Sequence, residues 1–268
     1  MIYVMSDIHG CYDEFQAMLK KINFNLEKDE LIIDGDIIDR GSQNYEMLQY
    51  MVNAPKNVTF ILGNHDEDFI YYCKGIKHIL YEHFWEEMDD IYDCPLFNKY
   101  VKDHYGTVQD LIKKHPGLTI SDFDEWEFRF SQMPRYIEKQ VNGKDYIIVH
   151  GGYITSENYD THSRTLYYDY GLESIEQYYV WARYYEQIYE GGGKKNNTII
   201  FGHTPTIFNT EGYYNNGYVW DYTRKTDNCR FINIDCGLVY AKNYPNEVKH
   251  GTLACIRLDD EKIFYLDE

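Results

Sequence analysis

Five short apolar runs recur along the chain, and each is followed at once by a loop that carries Asp, Asn or His. The runs are residues 2–5, 31–33, 58–62, 145–149 and 198–201. Runs of this length are typical of buried strands, and apolar residues at helical spacing separate the first three. Strands that alternate with helices form parallel sheets, whose carboxyl ends carry the binding loops. The pattern therefore predicts an α/β fold with a polar site at one sheet edge.

The stretch from about residue 68 to residue 133 differs from the strand-rich frame around it. Apolar residues recur there at helical spacing, as at Leu80, Phe84 and Met88. Because the stretch interrupts that frame, we predict a helical insertion (about 68–133) within a single domain that spans residues 1–268.

Turn residues predict two hairpins in the second half of the chain. Asn142 and Gly143 lie between two strand-like runs, and an Asn-Gly pair favours the tight turns that hairpins use. Residues 259–261, all acidic, predict the polar turn of a last hairpin. The three glycines at 191–193 lack the strand and helix that frame a phosphate-binding loop, so we interpret them as part of an exposed loop.

The charge balance argues against nucleic acid as a partner. The chain has 44 acidic residues against 26 basic ones, a formal net charge of −18, and it has no run rich in Lys or Arg. Such a surface repels nucleic acid, and it also repels phosphorylated substrates at long range. Positive charge for a phosphate ester would then have to come from a few arginines and from bound metal.

The sequence predicts a soluble, cytoplasmic protein without a membrane partner. No uncharged apolar run is long enough to span a bilayer, and the first residues lead into a polar motif without a signal-peptide pattern. The six cysteines include no Cys-x-x-Cys pair, so we interpret them as reduced thiols that fill the core.

Five polar motifs follow the apolar runs, in the order Asp7-x-His9, Gly35-Asp36-x-x-Asp39-Arg40, Gly63-Asn64-His65-Asp66, His150-Gly151-Gly152 and Gly202-His203. Each motif has an ordinary explanation on its own: a helix cap, an exposed ion pair or a structural histidine. Five such explanations would have to hold together, whereas one metal centre explains all of the motifs. Oxygen and imidazole ligands without thiolate suit Mn²⁺, Fe or Zn²⁺.

This ordered set resembles the phosphoprotein phosphatase family of calcineurin-like metallophosphoesterases. It is most similar to the bacterial and phage branch, which includes small Ser/Thr phosphatases and diadenosine tetraphosphate hydrolases. The motifs run from Met5 to Pro205, and the segment 234–237 resembles a later family strand. Arg40 after the second Asp is similar to the phosphomonoesterase members. The resemblance implies a four-layer sandwich of two mixed β-sheets flanked by helices.

A centre of two divalent metal ions is implied by the same resemblance, with Mn²⁺ expected first and Fe or Zn²⁺ as alternatives. The implied metal ligands are Asp7, His9, Asp36, Asn64, His150 and His203. A hydroxide held between the two ions would attack phosphorus directly, without a phosphorylated enzyme.

Other motif residues receive catalytic and substrate-binding roles from the resemblance. His65 would protonate the leaving oxygen, and Asp39 would orient its ring. Arg40 would hold phosphate oxygens through its planar fork, and Asn64 would also contact the substrate. Arg183, in Trp181-Ala182-Arg183, resembles a second phosphate clamp, although an ordinary surface arginine would look the same.

The function predicted from the sequence is hydrolysis of phosphate monoesters, with phosphoserine or phosphothreonine in proteins as the expected substrate. The alternative is a bis(5'-nucleosyl)-tetraphosphatase, a hydrolase of dinucleoside polyphosphates that would share every implied ligand. The acidic surface favours the phosphoprotein, because it slows capture of highly anionic substrates. A non-catalytic, metal-containing binding module is a third interpretation, and the filled ligand positions argue against it.

The chain is rich in tyrosine, with 29 residues of this type. A cluster between the fourth and fifth motifs includes Tyr167, Tyr168 and Tyr170, and it could line one wall of a substrate groove. Ordinary core and surface packing is the simpler interpretation of these rings.

Overall fold

The computed structural model describes residues 1–82, 106–208, 212, 214–248 and 250–267. Within the predicted insertion, Phe84, Met88 and Cys94 lie outside the described residues. The described parts of that stretch are helical. The single-domain boundaries and the extent of the insertion stay predictions.

Strands dominate the centre of the molecule and helices surround them. The described strands are β1 (Ile2–Ser6), β2 (Glu30–Asp34), β3 (Val58–Ile61), β4 (Tyr136–Val141), β5 (Lys144–Val149), β6 (Thr198–Phe201), β7 (Trp220–Arg224), β8 (Cys229–Asn233), β9 (Ala254–Arg257) and β10 (Lys262–Tyr265). The described helices are α1 (Tyr12–Lys21), α2 (Asn44–Val52), α3 (Asn64–Glu82), α4 (Gly106–Lys114), α5 (Ile120–Ser131), α6 (Ser156–Tyr170), α7 (Ile175–Trp181), α8 (Tyr184–Tyr189) and α9 (Leu238–Asn243).

Two mixed five-stranded sheets are built from these strands, in the orders β10-β9-β1-β2-β3 and β4-β5-β6-β8-β7. In the first sheet β1, β2 and β3 run parallel, and β9 is antiparallel to β1. In the second sheet β5, β6 and β8 run parallel, with β4 and β7 antiparallel at the edges. Each sheet therefore has a parallel trio of strands at its centre.

Alternating side chains of the central strands divide the core into layers. Val4 and Ile32 of the first sheet pack with Ile148 and Ile200 of the second, and all four are fully buried. Tyr3 and the other buried side chains on the opposite face of the first sheet pack against the helices. Because strand side chains alternate between faces, each sheet buries both of its surfaces, and each such aliphatic side chain contributes about 1.5–3 kcal/mol.

Helices cover the outer face of each sheet and complete the four layers. Phe15 of α1, Met47 of α2 and Trp126 of α5 pack on the first sheet. Ile188 of α8 packs against Phe201 on the second. The predicted α/β sandwich of two mixed sheets flanked by helices is confirmed.

The predicted hairpins are also confirmed. Asn142 and Gly143 have φ values of 51° and 78°, which is the left-handed backbone that an Asn-Gly hairpin turn requires. Strands β9 and β10 form the last hairpin. Strand β7 was missed because its burial pattern is mainly exposed, so it carries no apolar run.

The prediction of an exposed loop at 191–193 is wrong for two of the three glycines. Gly192 and Gly193 are buried, whereas Lys194 and Lys195 after them are exposed. A Cβ at Gly193 would lie 2.6 Å from Cys229 Sγ. These glycines are therefore packing positions where no larger side chain fits.

The described cysteines are free and buried, namely Cys11, Cys73, Cys229, Cys236 and Cys255. Among the helices that the structure describes, none has both the length and the apolar character needed to cross a membrane.

Candidate metal centre

The carboxyl ends of both parallel trios meet at one edge of the molecule. Strands β1, β2 and β3 each lead into a predicted motif there, and β5 and β6 do the same from the second sheet. The six predicted ligand residues follow these strands and are all buried: Asp7, His9, Asp36, Asn64, His150 and His203. Residues that lie as far apart as 7 and 203 in sequence thus face one another.

The loops that carry these residues have a strained backbone. Asp7, His9, Asp36 and His203 have positive φ values of 52°, 47°, 50° and 66°. For a residue with a Cβ this conformation costs about 1 kcal/mol or more, and such strain is concentrated at functional sites. Hydrogen bonds between neighbouring loops hold the conformation, including one from the His9 amide to the Asp36 carbonyl at 2.8 Å.

His9 is held as a neutral imidazole. Its Nδ1 donates to the Ile38 carbonyl at 3.0 Å, and its Nε2 accepts a hydrogen bond from Arg40 Nη1 at 3.0 Å. Burial lowers the pKa of His9 to about 3, and the Arg40 charge acts in the same direction, although Asp36 opposes it. The Nε2 lone pair, 3.5 Å from Asp36 Oδ2, is therefore the one that a cation can use.

Two imidazoles meet at the amide oxygen of Asn64. His203 Nδ1 lies 2.8 Å from Asn64 Oδ1, and His150 Nε2 lies 3.1 Å from the same oxygen. His150 Nδ1 donates to the Asp34 carbonyl at 3.0 Å, which directs Nε2 into the site. His203 Nε2 is buried and has no hydrogen-bond partner among the described residues.

Asp36 lies between the two sets of donors. Its Oδ1 is 3.3 Å from His150 Nε2, and its Oδ2 is 3.5 Å from His9 Nε2. Burial alone would raise the pKa of Asp36, but the positive charges of His150 and His65 bring it well below its usual range. An ionised carboxylate shared by two donor sets is the group expected to bridge two cations.

The donor set fits divalent cations. Two groups of side chains bring their potential ligand atoms within 4.8 Å of one another, and Asp36 belongs to both. The first group contains Asp36 with His9 and His65, and the second contains Asp36 with His150 and His203. Carboxylate oxygen and imidazole nitrogen are the donors that first-row divalent metals accept in proteins.

Asp7 lies at the margin of the first group. Its carboxylate accepts hydrogen bonds from the His203 amide at 3.1 and 3.2 Å and from the Ser6 hydroxyl. Asp7 Oδ1 is 4.0 Å from His9 Nε2. Burial raises the pKa of Asp7 to about 6, and the charge of Asp36 acts in the same direction, although His150 opposes it.

Asp66 has a structural role that the sequence interpretation did not assign. Its carboxylate accepts hydrogen bonds from the backbone amides of Asp36 at 2.8 Å, Ile37 at 3.1 Å and Gly63 at 3.0 Å. Burial and the charge of Asp36 raise its pKa to about 7, although these hydrogen bonds oppose the shift. Asp66 therefore fixes the loops after β2 and β3 to each other. Its position in the third motif was the feature from which the sequence could have indicated this role.

His65 and Asp39 form a hydrogen-bonded pair beside the donor groups. His65 Nδ1 lies 2.6 Å from Asp39 Oδ2, and Asp39 Oδ1 accepts from the hydroxyl of Thr107 in α4. Burial lowers the pKa of His65, but Asp36 and the Asp39 hydrogen bond outweigh it and raise the pKa overall. The pair thus favours a protonated imidazole at the site. Thr107 was not predicted, because nothing near it in sequence marks it.

A cavity of about 310 Å³ opens over the donor groups, and its lining residues are Asp36, Arg40, Asn64, Arg183, His203, Thr204, Pro205, Phe208 and Tyr240. Arg183 Nη1 donates to Thr204 Oγ1 at 2.9 Å. The Arg40 guanidinium lies 5.3 Å from the ring centre of Tyr240. The structure therefore places both predicted arginines at one cavity, together with two aromatic rings that sequence reasoning missed.

Comparison with known proteins identifies relatives of the chain. A model of the calcineurin-like phosphoesterase family matches residues 1–235. A symmetrical bis(5'-nucleosyl)-tetraphosphatase from Buchnera aphidicola subsp. Schizaphis graminum is 32% identical over 150 residues, which is 54% of this chain and 54% of that protein. The chain thus spans about half the length of the curated relatives it matches.

Solved structures share the fold. A protein serine/threonine phosphatase from Saccharomyces cerevisiae has a TM-score of 0.53 and 16% identity, covering 98% of this chain and 78% of that one. A cold-active protein-tyrosine phosphatase from a Shewanella species has a TM-score of 0.51 and 16% identity, covering 99% and 80%. At this identity the likeness concerns the fold alone.

Proposed function

The chain belongs to the calcineurin-like phosphoesterase family, and on this premise we propose that it hydrolyses dinucleoside polyphosphates by attack of water on phosphorus. The single observation that supports this most strongly is the cavity over Asp36, which buried acidic and imidazole donors line together with two arginines. Such a cavity suits a phosphate group, because the arginines can bind its oxygens while the donor groups hold cations beneath it.

We propose that the six predicted ligands hold two divalent cations, with Asp36 common to both. His9 and Asp36, joined by Asp7 after a small movement, would hold one cation, and Asp36 with Asn64 and the two remaining histidines would hold the other. When bound, the cations would acidify a water molecule and stabilise charge on phosphate oxygens. Mn²⁺ is the first metal to test, with Fe and Zn²⁺ as alternatives.

Proton transfer to the leaving oxygen is assigned to His65. Its ring is fixed by Asp39, and Asp36 and the Asp39 hydrogen bond raise the pKa of His65, which favours the protonated imidazole. Arg40 and Arg183 would bind phosphate oxygens from the cavity wall, with the amide of Asn64 nearby. These groups orient the phosphate and balance the negative charge that develops in the transition state.

The dinucleoside polyphosphate, which was the alternative substrate predicted from the sequence, is now placed before the phosphoprotein. The curated relatives are named as tetraphosphatases, which supports the dinucleotide over the phosphoprotein. The rings of Phe208 and Tyr240 at the cavity also offer aromatic surface that a nucleobase can use. The acidic surface, which favoured the phosphoprotein, acts on the rate of capture and leaves the choice of substrate open.

A comparison of substrates tests the proposal. The protein would be loaded with Mn²⁺, and kcat/KM would be measured for diadenosine tetraphosphate and for a phosphoserine peptide. We expect the dinucleotide to be cleaved with the higher efficiency. Faster turnover of the peptide would restore the phosphoprotein as substrate, and no turnover of either by fully metallated protein would support the binding module. Elemental analysis of the protein as purified would identify the resident metal.

A further inference from the structure

A second and larger cavity lies beside the catalytic one. Its volume is about 620 Å³, and its lining residues are Tyr170, Gly171, Leu172, Gln177, Trp181, Arg183, Tyr185 and Glu186. We call it the outer cavity. Arg183 lines both cavities, so a molecule whose phosphates occupy the catalytic cavity could extend past Arg183 into the outer one.

The floor of the outer cavity is preformed. Gly171 ends α6 in the left-handed conformation, with a φ of 71°, and Leu172 donates its amide to the Leu166 carbonyl at 2.9 Å. Leu172 is buried in an apolar cluster with Tyr178. Because the turn is capped and the Leu172 side chain is part of the core, this part of the cavity lining is preformed.

Trp181 lines the outer cavity and is fixed in place. Its Nε1 donates to Glu67 Oε2 at 3.3 Å, and Glu67 in turn pairs with Arg135 at 3.0 Å. The Trp181 ring lies 6.0 Å from the ring of His203, one of the proposed ligands. The aromatic wall therefore begins next to the reaction centre.

The lining chemistry suits an uncharged aromatic group. Tyr170, Trp181 and Tyr185 present three rings, while Gln177 and Glu186 present polar atoms. Of the residues that line the outer cavity in the described chain, only Arg183 is a cation, and it stands at the boundary with the catalytic cavity. A further phosphate would find little to bind beyond Arg183, whereas a base and its sugar would find rings to stack on and groups to hydrogen-bond.

We propose that the outer cavity binds one nucleoside of a dinucleoside polyphosphate, with its base against the tyrosine rings and its phosphates led past Arg183 to the catalytic cavity. This inference rests on the proposed function and makes it more specific. It assigns to Tyr170 and Tyr185 a role in choosing nucleotide substrates over small phosphate esters.

Substitution of the two tyrosines tests the proposal. Tyr185 is 54% exposed and Tyr170 is 37% exposed, so Tyr185→Ala and Tyr170→Ala leave the core intact. Stacking of one base is worth about 1–3 kcal/mol, so each change should lower the ratio of kcat/KM for diadenosine tetraphosphate over 4-nitrophenyl phosphate by about tenfold. Tyr168→Ala is the matched control: Tyr168 lies in α6, is 72% exposed and is outside the cavity lining.

Equal losses for both substrates, or no loss for either, would overturn the proposal. An equal fall in kcat/KM for a phosphopeptide and for the dinucleotide would also overturn it, because the outer cavity would then bind peptide as well.

A binding measurement separates this proposal from the proposed function. Metal-free protein would be titrated with ADP and with inorganic phosphate by calorimetry. We expect Tyr185→Ala to weaken ADP binding about tenfold and to change phosphate binding much less. If Tyr185→Ala weakens ADP binding as expected but the wild-type protein does not cleave the dinucleotide, the proposed substrate is refuted. The proposal of a nucleoside site is then still supported. Efficient cleavage with ADP binding unchanged by Tyr185→Ala would refute the nucleoside site alone.

Discussion

At the residue scale, the pair formed by His65 and Asp39 lets the proposed proton transfer be tested apart from the proposed cation binding. His65 Nδ1 faces Asp39, so the ring is held by a carboxylate that lies outside the predicted ligand set. His65 also contributes its amide to Asp36 Oδ1 at 2.9 Å, and a change of side chain leaves this backbone contact in place. The two tasks can therefore be tested independently.

His65→Asn should keep the metal centre and lose turnover. The amide cannot deliver a proton to the leaving oxygen, and loss of a general acid lowers kcat by about 10²–10⁴-fold. Metal content by elemental analysis should match that of wild-type protein. Substrates with highly acidic leaving groups should be affected least, and a variant that loses metal together with activity would contradict the assigned role.

Gly202 is required because of its neighbours. A Cβ at this position would overlap the Asp7 carboxylate and the Ser6 hydroxyl. Gly202→Ala should therefore displace Asp7 and weaken binding of Mn²⁺ by about 10–100-fold, the range seen when support for a metal ligand is lost. Calorimetric titration with Mn²⁺ measures this change. Gly117→Ala is the control, since a Cβ there meets nothing within 4 Å, and an equal loss in that variant would refute the argument.

Sequence reasoning found the donor residues because each follows an apolar run. Asp7, Asp36 and His150 are marked by that position alone. Thr107 and Tyr240 could not be found in this way, because they reach the site from helices far along the chain. Their position at the site depends on how the helices pack over the sheet edge. The residues next to Thr107 and Tyr240 in sequence carry no sign of that packing.

At the scale of elements, the β9–β10 turn joins the two sheets at the edge opposite the candidate site. Glu261 in this turn accepts hydrogen bonds from Tyr146 at 2.7 Å and from Arg230 at 2.9 Å, and it pairs with Lys144 at 2.8 Å. All three partners belong to the second sheet, whereas Glu261 belongs to a hairpin of the first. The Glu261 carboxylate therefore links the two sheets through three polar contacts.

Glu261→Gln should lower stability at neutral pH by roughly 2 kcal/mol, with little change near pH 2. Burial raises the pKa of Glu261, but its three partners outweigh burial and bring it from 4.5 to about 2. A lowered pKa contributes stability that is complete above about pH 4.5 and is lost as pH falls toward 2. Urea unfolding at pH 7 and pH 3 would measure the gap between variant and wild type.

Glu138→Gln is the control for this experiment. Glu138 is 53% exposed and has one ion pair, with Lys194 at 3.3 Å. Its loss should change stability by less than about 0.5 kcal/mol at either pH. A gap for Glu261→Gln that stays constant between pH 7 and pH 3 would show that the carboxylate charge is not what joins the sheets.

Elements were predictable where a local pattern identifies them. The Asn142-Gly143 turn and the parallel strands have such patterns, as their observed bounds show. Strand β7 lies at a sheet edge with mostly exposed side chains, so its sequence lacks the continuous apolar run that marks the buried strands. The buried glycines at 192 and 193 were misjudged because their neighbours come from distant elements.

At the scale of the whole molecule, the net charge of −18 opposes the approach of a polyphosphate. The Debye length falls from about 30 Å at 0.01 M salt to about 8 Å at 0.15 M. Distant acidic groups are therefore screened by salt, while Arg40 and Arg183 act at contact distance within the cavity. The long-range and short-range electrostatic effects have opposite signs.

Added salt should therefore speed capture of the proposed substrate. Between low and physiological ionic strength we expect kcat/KM for diadenosine tetraphosphate to rise about threefold, because repulsion by the remote acidic surface is screened. The smaller charge of 4-nitrophenyl phosphate should give a smaller rise. A steady fall of kcat/KM with salt would mean that the local arginines control association.

The loops at the site are anchored by the strands beneath them and by contacts such as those of Asp66, so each donor keeps its position independently of the chain that follows it. α3 leaves the site at Asn64, and Thr107 brings the chain back against Asp39. The residues that line the outer cavity, by contrast, all lie on the connection between β5 and β6. Choice of substrate and chemistry can therefore change separately in this molecule, because a substitution at Tyr170 or Tyr185 leaves the donor atoms at the strand ends in place.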